Sequence, residues 1–222
     1  MARRPDVTTQ TNTVIDLILS RIDAGTLLPG QTVDEKDMMA ECGVSRTPVR
    51  EALIRLEVDG LVQRHARKGA VIFQPNVQEF LTILEVHANL ESFAASLAGQ
   101  RITDAVATEL RAIVVACRDH AKAHGHSDPS GYYQLNLQFH EIIVRAARND
   151  VLAQMVKTNA RKLMAYYRMR YRTPGAAVAS AEDHALIADH ILGRRAAEAQ
   201  AAMLDHFNYD RQTVMDLIAS VG

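Results

Sequence analysis

Three of the nine histidines in this 222-residue chain sit inside apolar helical runs: His140 in "NLQFHEIIV", His184 in "EDHALIADHIL" and His206 in "AAMLDHF". Asn136 lies one helical turn before His140, on the same side. A polar side chain facing a core needs a partner. Three neutral imidazoles brought together from three helices of a bundle suit zinc, nickel or another first-row dication. Taken singly, each also reads as a core histidine satisfied by a hydrogen bond. His120, His124 and His126 run into the polar stretch "HGHSDPSG", where solvation or a helix C-terminus accounts for them, although His120 and His124 have the i, i+4 spacing of a weak metal pair.

A second chemistry is written in "GVSRTPVREAL", residues 43 to 53. Ser45 is placed to cap a helix, Pro48 falls in its first turn where a missing N–H costs least, and Leu53 and Leu56 mark the inner face. Arg46, Thr47 and Arg50 are left pointing outward. Guanidinium forks, a hydroxyl and the positive end of a helix dipole converge there, which suits phosphates and base edges in a DNA groove. Between Val44 and Pro75 six basic residues stand against three acids, so the positive charge is local. The competing reading is a solvated amphipathic helix whose arginines pair with Glu51 or Glu57.

The elements that must position these groups follow from periodicity. Apolar Val14, Ile15, Ile18, Leu19 and Ile22 predict a first helix over 9–24, ended by "GTLLPG". "DEKDMMAEC" reads as a short second helix opened by Asp34 and closed by Gly43, and the third runs to Gly60. "LVQR" and "AVIF", joined by the basic tip "HARKG", read as a β-hairpin. Helix, helix, turn, helix and hairpin make a winged helix-turn-helix with a small β-hairpin wing. "QPN" at 74–76 interrupts the chain, and breakers near 99–103, 125–131, 149–150, 173–175 and 193 divide the rest into six helical segments. The expected fold is mainly α: a winged helix over 1–75 and an all-α helical bundle over 76–222, whose alanine-rich stretches let helices approach closely.

The 25 Lys and Arg against 26 Asp and Glu exclude a uniformly basic surface. Two cysteines, Cys42 and Cys117, support neither a disulfide framework nor a cysteine-rich zinc site. No apolar stretch follows "MARRPDVTTQ" and no long apolar run occurs elsewhere, so a cytoplasmic protein without a membrane segment is expected.

Residues 15–72 closely resemble the DNA-binding domain of the GntR family of bacterial transcription regulators, through the proline–glycine turn, "GVSRTPVREAL", "DGLV" and the glycine-bearing wing. The resemblance implies base or phosphate contacts from Arg46, Thr47 and Arg50, with Ser45 at the same helix start. It adds a backbone contact from Lys36, and groove contact from the wing at Gly69 flanked by Arg67 and Lys68. Residues 77–222 resemble the FCD domain of the FadR subfamily, in its six-helix VanR-like version, through "LEVHANLESFAASLAGQR", "NLQFHEIIV" and "DHALIADHILGRRAAEAQAAMLDHF".

That second resemblance implies a divalent metal, most often zinc, held by Asn136, His140, His184 and His206, with Asn136 standing where the pattern more commonly has aspartate. His87 replaces an arginine used by relatives to hold a ligand carboxylate, and Arg161, Tyr166, Tyr167 or Arg168 could take over; His87, Arg161 and Tyr167 are the expected effector contacts. The implied protein is a homodimeric, metabolite-responsive regulator, usually a repressor, that binds a palindromic duplex operator and a small organic acid. It is not expected to be an enzyme. The rival readings are a metal-dependent enzyme with Glu91 or Glu141 as base, and a ligand-independent DNA-binding protein with a structural metal.

Overall fold

Buried Val14, Ile18 and Ile22 line one side of Val7–Ala24, the first helix (α1), in the computed structural model, which describes residues 6–125 and 127–208. His126 lies outside the described residues. The chain divides into two compact units at Pro75 and Asn76.

In the N-terminal unit, Glu35–Cys42 (α2) and Arg46–Val58 (α3) follow α1. The Asp34 side chain accepts from the backbone N–H groups of Lys36 and Asp37 at the start of α2. Gly43 ends α2 in the left-handed region, φ 64°, where a Cβ would be strained, and this lets the chain turn directly into α3. Ser45 occupies the N-cap position of α3, but its side chain makes no capping hydrogen bond, contrary to the sequence expectation. Its hydroxyl is left available to a ligand. Asp34→Ala is therefore expected to lower stability by about 1 kcal/mol, whereas Ser45→Ala leaves it unchanged; thermal melts of the two variants check the contrast.

Pro48, Val49, Ala52, Leu53 and Leu56 bury the inner side of α3, and buried Thr11 of α1 donates to Glu51 Oε2 at 3.0 Å. Val62–His65 (β1) and Gly69–Ile72 (β2) form an antiparallel hairpin in register Val62 with Ile72 and His65 with Gly69. Val62, Ala70, Val71 and Ile72 face inward, while residues 63–69 are exposed. This is a winged helix.

The C-terminal unit has six helices among the described residues: Val77–Arg101 (α4), Asp104–His124 (α5), Pro129–Ala146 (α6), Asp150–Arg170 (α7), Ala176–Leu192 (α8) and Ala196–His206 (α9). Asn76 and Glu79 form a reciprocal capping box on α4, and Thr103, Asp128 and Asn149 cap the next three starts. Helix α4 packs against α6, α7, α8 and α9, which makes it the spine of the bundle.

The break falls within the expected 99–103 stretch, between Arg101 and Asp104, while Gly99 itself still lies inside α4, where a Cβ would come within 3.3 Å of Ala196 Cα. Its lack of a side chain permits the close approach of α4 and α9. The helix stops two residues later, where Arg194 donates to the carbonyls of Gln100 and Ile102. Among the described residues, no helix is long and apolar enough to cross a membrane.

Candidate DNA-reading surface and metal centre

At the start of α3 the Arg46 and Arg50 side chains are 57% and 58% exposed. Pro48 and Val49 point into the core between them, so the arginines project from the opposite side with exposed Thr47. Neither arginine pairs with Glu51 or Glu57. Glu51 is held by Thr11, Glu57 pairs with Arg64 of the wing at 3.0 Å, and both arginines approach Glu35 of α2 instead, at 3.9 and 3.6 Å. Such long, solvated pairs are weak and yield readily to a phosphate. Lys36 is exposed at the front of α2, and Ser45, Arg67, Lys68 and Gly69 are exposed as well. Gly69 has φ +74° with open space where a Cβ would stand, leaving the wing tip unobstructed.

In the bundle, α6, α8 and α9 bring His140, His184 and His206 together. One nitrogen from each lies within 4.8 Å of the others, and ring centroids are 4.9 to 5.5 Å apart. His184 and His206 are buried, while the His140 side chain keeps 12% exposure. His184 stacks on Phe139 with centroids 3.8 Å apart, which fixes its ring plane.

Burial is the main force pushing His184 well below the ordinary imidazole range, helped by His206, His140 and the Arg170 guanidinium. Burial likewise takes His206 down to about 4, although a hydrogen bond to Asp183 works the other way. Both are neutral at physiological pH, the form that ligates metals.

Hydrogen bonds orient these donors. His206 Nδ1 lies 3.0 Å from Asp183 Oδ2, which leaves Nε2 for another ligand. Asn136 Oδ1 accepts from the Tyr171 hydroxyl at 2.8 Å, and a carbonyl oxygen retains a second lone pair. Ser180 Oγ lies 3.3 Å from that hydroxyl and 3.4 Å from His184 Nε2. His184 Nδ1 is buried with no hydrogen-bond partner among the described residues, and so are His140 Nδ1 and Glu91 Oε2. The orphaned His184 nitrogen, Nε2 of His206 and a neutral oxygen donor fit a first-row dication. With bonds of about 2.1 Å, sharing one ion asks the imidazoles to contract modestly.

A cleft of about 350 Å³, counted out to its mouth, opens beside the cluster. His87, Glu91, Tyr167, Arg170 and Tyr171 line it together with Asn136, His140 and His206. Of the expected effector contacts His87 and Tyr167 line the cleft; Arg161 is not among the lining residues. Tyr166 stacks on Phe80 at 4.0 Å and Arg168 lies over the Tyr133 ring at 5.0 Å.

Arg170 and Tyr171 went unforeseen. Spacing could have found them, since Ala160, Tyr167 and Tyr171 follow one helical stripe that Arg170 adjoins, whereas Arg161 is rotated away by about 100° from Ala160. Of the two bases named for an enzyme, Glu141 is 59% exposed and pairs with Lys157 at 3.3 Å, while Glu91 is buried in the cleft. Burial drives His87 down to about 4 despite the nearby Glu91 carboxylate. Burial by itself raises the Glu91 carboxyl. The facing His140, followed by His87 and His206, outweighs burial and holds it below the usual carboxylate range. His120, at the far end of α5, bonds the Asp128 carbonyl at 2.9 Å and meets His124 edge-on, with no third ligating side chain in its group among the described residues.

Comparison with known proteins joins the two halves. Residues 10–72 match the profile "Bacterial regulatory proteins, gntR family", and residues 82–209 match "FCD domain". The chain is 28% identical over 188 residues to "Uncharacterized HTH-type transcriptional regulator YdhC" of Bacillus subtilis (strain 168), covering 84% of this chain and 82% of that one. It is 30% identical over 151 residues to "Probable D-xylose utilization operon transcriptional repressor" of Paenarthrobacter nicotinovorans, covering 68% and 65%. The solved structure "E. coli McbR/YncC" shares the fold with a TM-score of 0.76 at 18% identity, covering 96% of this chain and 99% of that one. The chain therefore belongs to the GntR family of bacterial transcription regulators, with an FCD domain following its winged helix.

Proposed function

We propose that this regulator is a metal-loaded, ligand-responsive repressor: its winged helix binds a palindromic operator as a homodimer in the cytoplasm, and a small organic anion entering the FCD cleft releases it. The observation that carries the reading is the meeting of three inward-facing histidines from three helices, two of which, His140 and His206, line a cleft.

Asn136, His140, His184 and His206 would hold the ion, and a divalent ion with an open position supplies Lewis acidity toward a carboxylate or hydroxy-acid oxygen. Arg170 adds a second positive group at the cleft, and its charge already bears on His184 and His206. Tyr167 and Phe207 give the cleft apolar walls for the body of such an anion. Repression is supported by the xylose-operon relative, whose name states that role. For the ligand to act, it must bind the free and DNA-bound states with different affinity.

The test is elemental analysis of purified protein, followed by gel shifts on its upstream DNA with a panel of small carboxylates, before and after chelation. We expect about one metal per chain, release by at least one acid, and loss of that response after chelation. Metal-free protein that still responds to acids would remove the ion from the mechanism. Metal-loaded protein that ignores every acid would favour a structural ion.

A further inference from the structure

This inference rests on the metal reading above and concerns a residue outside the Asn and His donor set. Asn136, His140, His184 and His206 are all neutral donors, so a divalent ion among them keeps its full charge. Charge of that size inside a bundle calls for a nearby anion. Asp183 touches His206, but its side chain is 44% exposed and water screens it.

Glu91 is different. Its side chain is 2% exposed, Oε1 lies 3.4 Å from His140 Nδ1 and 3.7 Å from His87 Nε2, and Oε2 is buried with no hydrogen-bond partner among the described residues. No lysine or arginine is within ion-pair distance of it among the described residues, Arg170 being a fellow lining residue of the same cleft. Burying a carboxylate costs several kcal/mol unless something positive repays it, and its neighbours on that stripe of α4 are Leu84, Ala88 and His87, whose imidazole burial keeps neutral.

The contact with His140 repeats the Asp183 contact with His206, carboxylate oxygen to Nδ1. Asp183 hydrogen-bonds Nδ1 of His206 at 3.0 Å, whereas Glu91 Oε1 faces Nδ1 of His140 at 3.4 Å with no hydrogen bond formed, a small shift away from the contact that would select the tautomer presenting Nε2 to an ion.

We propose that Glu91 is the anion of this centre, a positioning residue that orients His140 through Nδ1 and offsets the charge of the bound dication. Its geometry resembles the carboxylate–histidine–metal arrangement that tunes metal sites generally. The role assigned to it is electrostatic, and it can be separated from shape. Glu91→Gln keeps the size and the acceptor oxygen and removes only the charge. Glu91→Gln with Asn136→Asp restores one negative charge at the same centre from another helix.

The experiment is chelator-competition titration of Zn²⁺ and Co²⁺ into wild type, Glu91→Gln, Asn136→Asp and the double variant, with Co²⁺ absorption spectra and the melting temperature of each metal-free form. Glu91→Gln is expected to weaken binding by about tenfold to a hundredfold, with the metal-free melt little changed and most of the loss recovered in the double variant. Asn136→Asp alone should gain less than about threefold, because the site already holds its anion. Unchanged affinity and spectrum in Glu91→Gln overturn the proposal. Should that variant not fold, a gain of about tenfold or more from Asn136→Asp alone overturns it equally, by showing that the centre lacked an anion. Wild type that binds neither ion overturns the metal reading itself.

Discussion

Replacing Arg46 or Arg50 with alanine is expected to cut affinity for the specific operator by about 5- to 150-fold each, the loss of a base contact of about 1–3 kcal/mol, and replacing both abolishes specific binding. The bundle should be untouched, because the arginines lie in the other compact unit. The winged helix should hold as well. Both side chains are more than half exposed, and the apolar anchors of α3 point the other way. Their partner Glu35 is itself solvated, so deleting either arginine leaves no buried charge behind.

Titrations against operator and scrambled duplex over a range of salt separate two kinds of contact. An arginine that reads a base relaxes discrimination at its position, whereas one that meets phosphate weakens all sequences alike and lowers the salt slope by about 1. Specific binding within twofold of wild type in both single variants would remove α3 from the role of reading helix.

The N-terminal unit was the more legible because its signals are local. An acid before α2, a glycine after it and a proline in the first turn of α3 each act within a few residues. The one local error, a capping bond from Ser45, arose because residue type states what a side chain can do and not whether its rotamer does it.

The bundle was legible in its helices and in the histidines that meet, since a polar residue on an apolar stripe is visible as an exception. The break near 99–103 was legible, but the second role of Gly99, a close crossing with α9, depends on Ala196, nearly a hundred residues away. Arg170 and Arg161 are both arginines of α7, and the stripe shared with Tyr167 separates them only once Tyr167 is known to face the cleft. Glu91 carried a signal that was open to reading: an acid seven residues after Leu84, on the buried side of a long helix. What no spacing conveys is that the same side of α4 faces His140.

His184→Ala is expected to remove metal binding and, with it, the effect of the ligand on DNA. His184 has no solvent exposure and stacks flat on Phe139, so the substitution also leaves a void that lowers the stability of the metal-free protein. The informative quantity is the increment that metal adds. Wild type with free Zn²⁺ at about a thousand times its dissociation constant gains about 4 kcal/mol over its metal-free form, read as a rise in melting temperature. His184→Ala should gain almost nothing under the same conditions, since a centre of one amide and two imidazoles gives up a third of its nitrogen donors. The void contributes to both melts of the variant and cancels in the difference. Because the cleft adjoins His140 and His206, calorimetric affinity for the anionic ligand should fall together with metal content. An unchanged increment and unchanged ligand affinity would return His184 to the core as an ordinary buried imidazole. Loss of metal with ligand affinity intact would instead assign ligand binding to Arg170 and the aromatic walls alone.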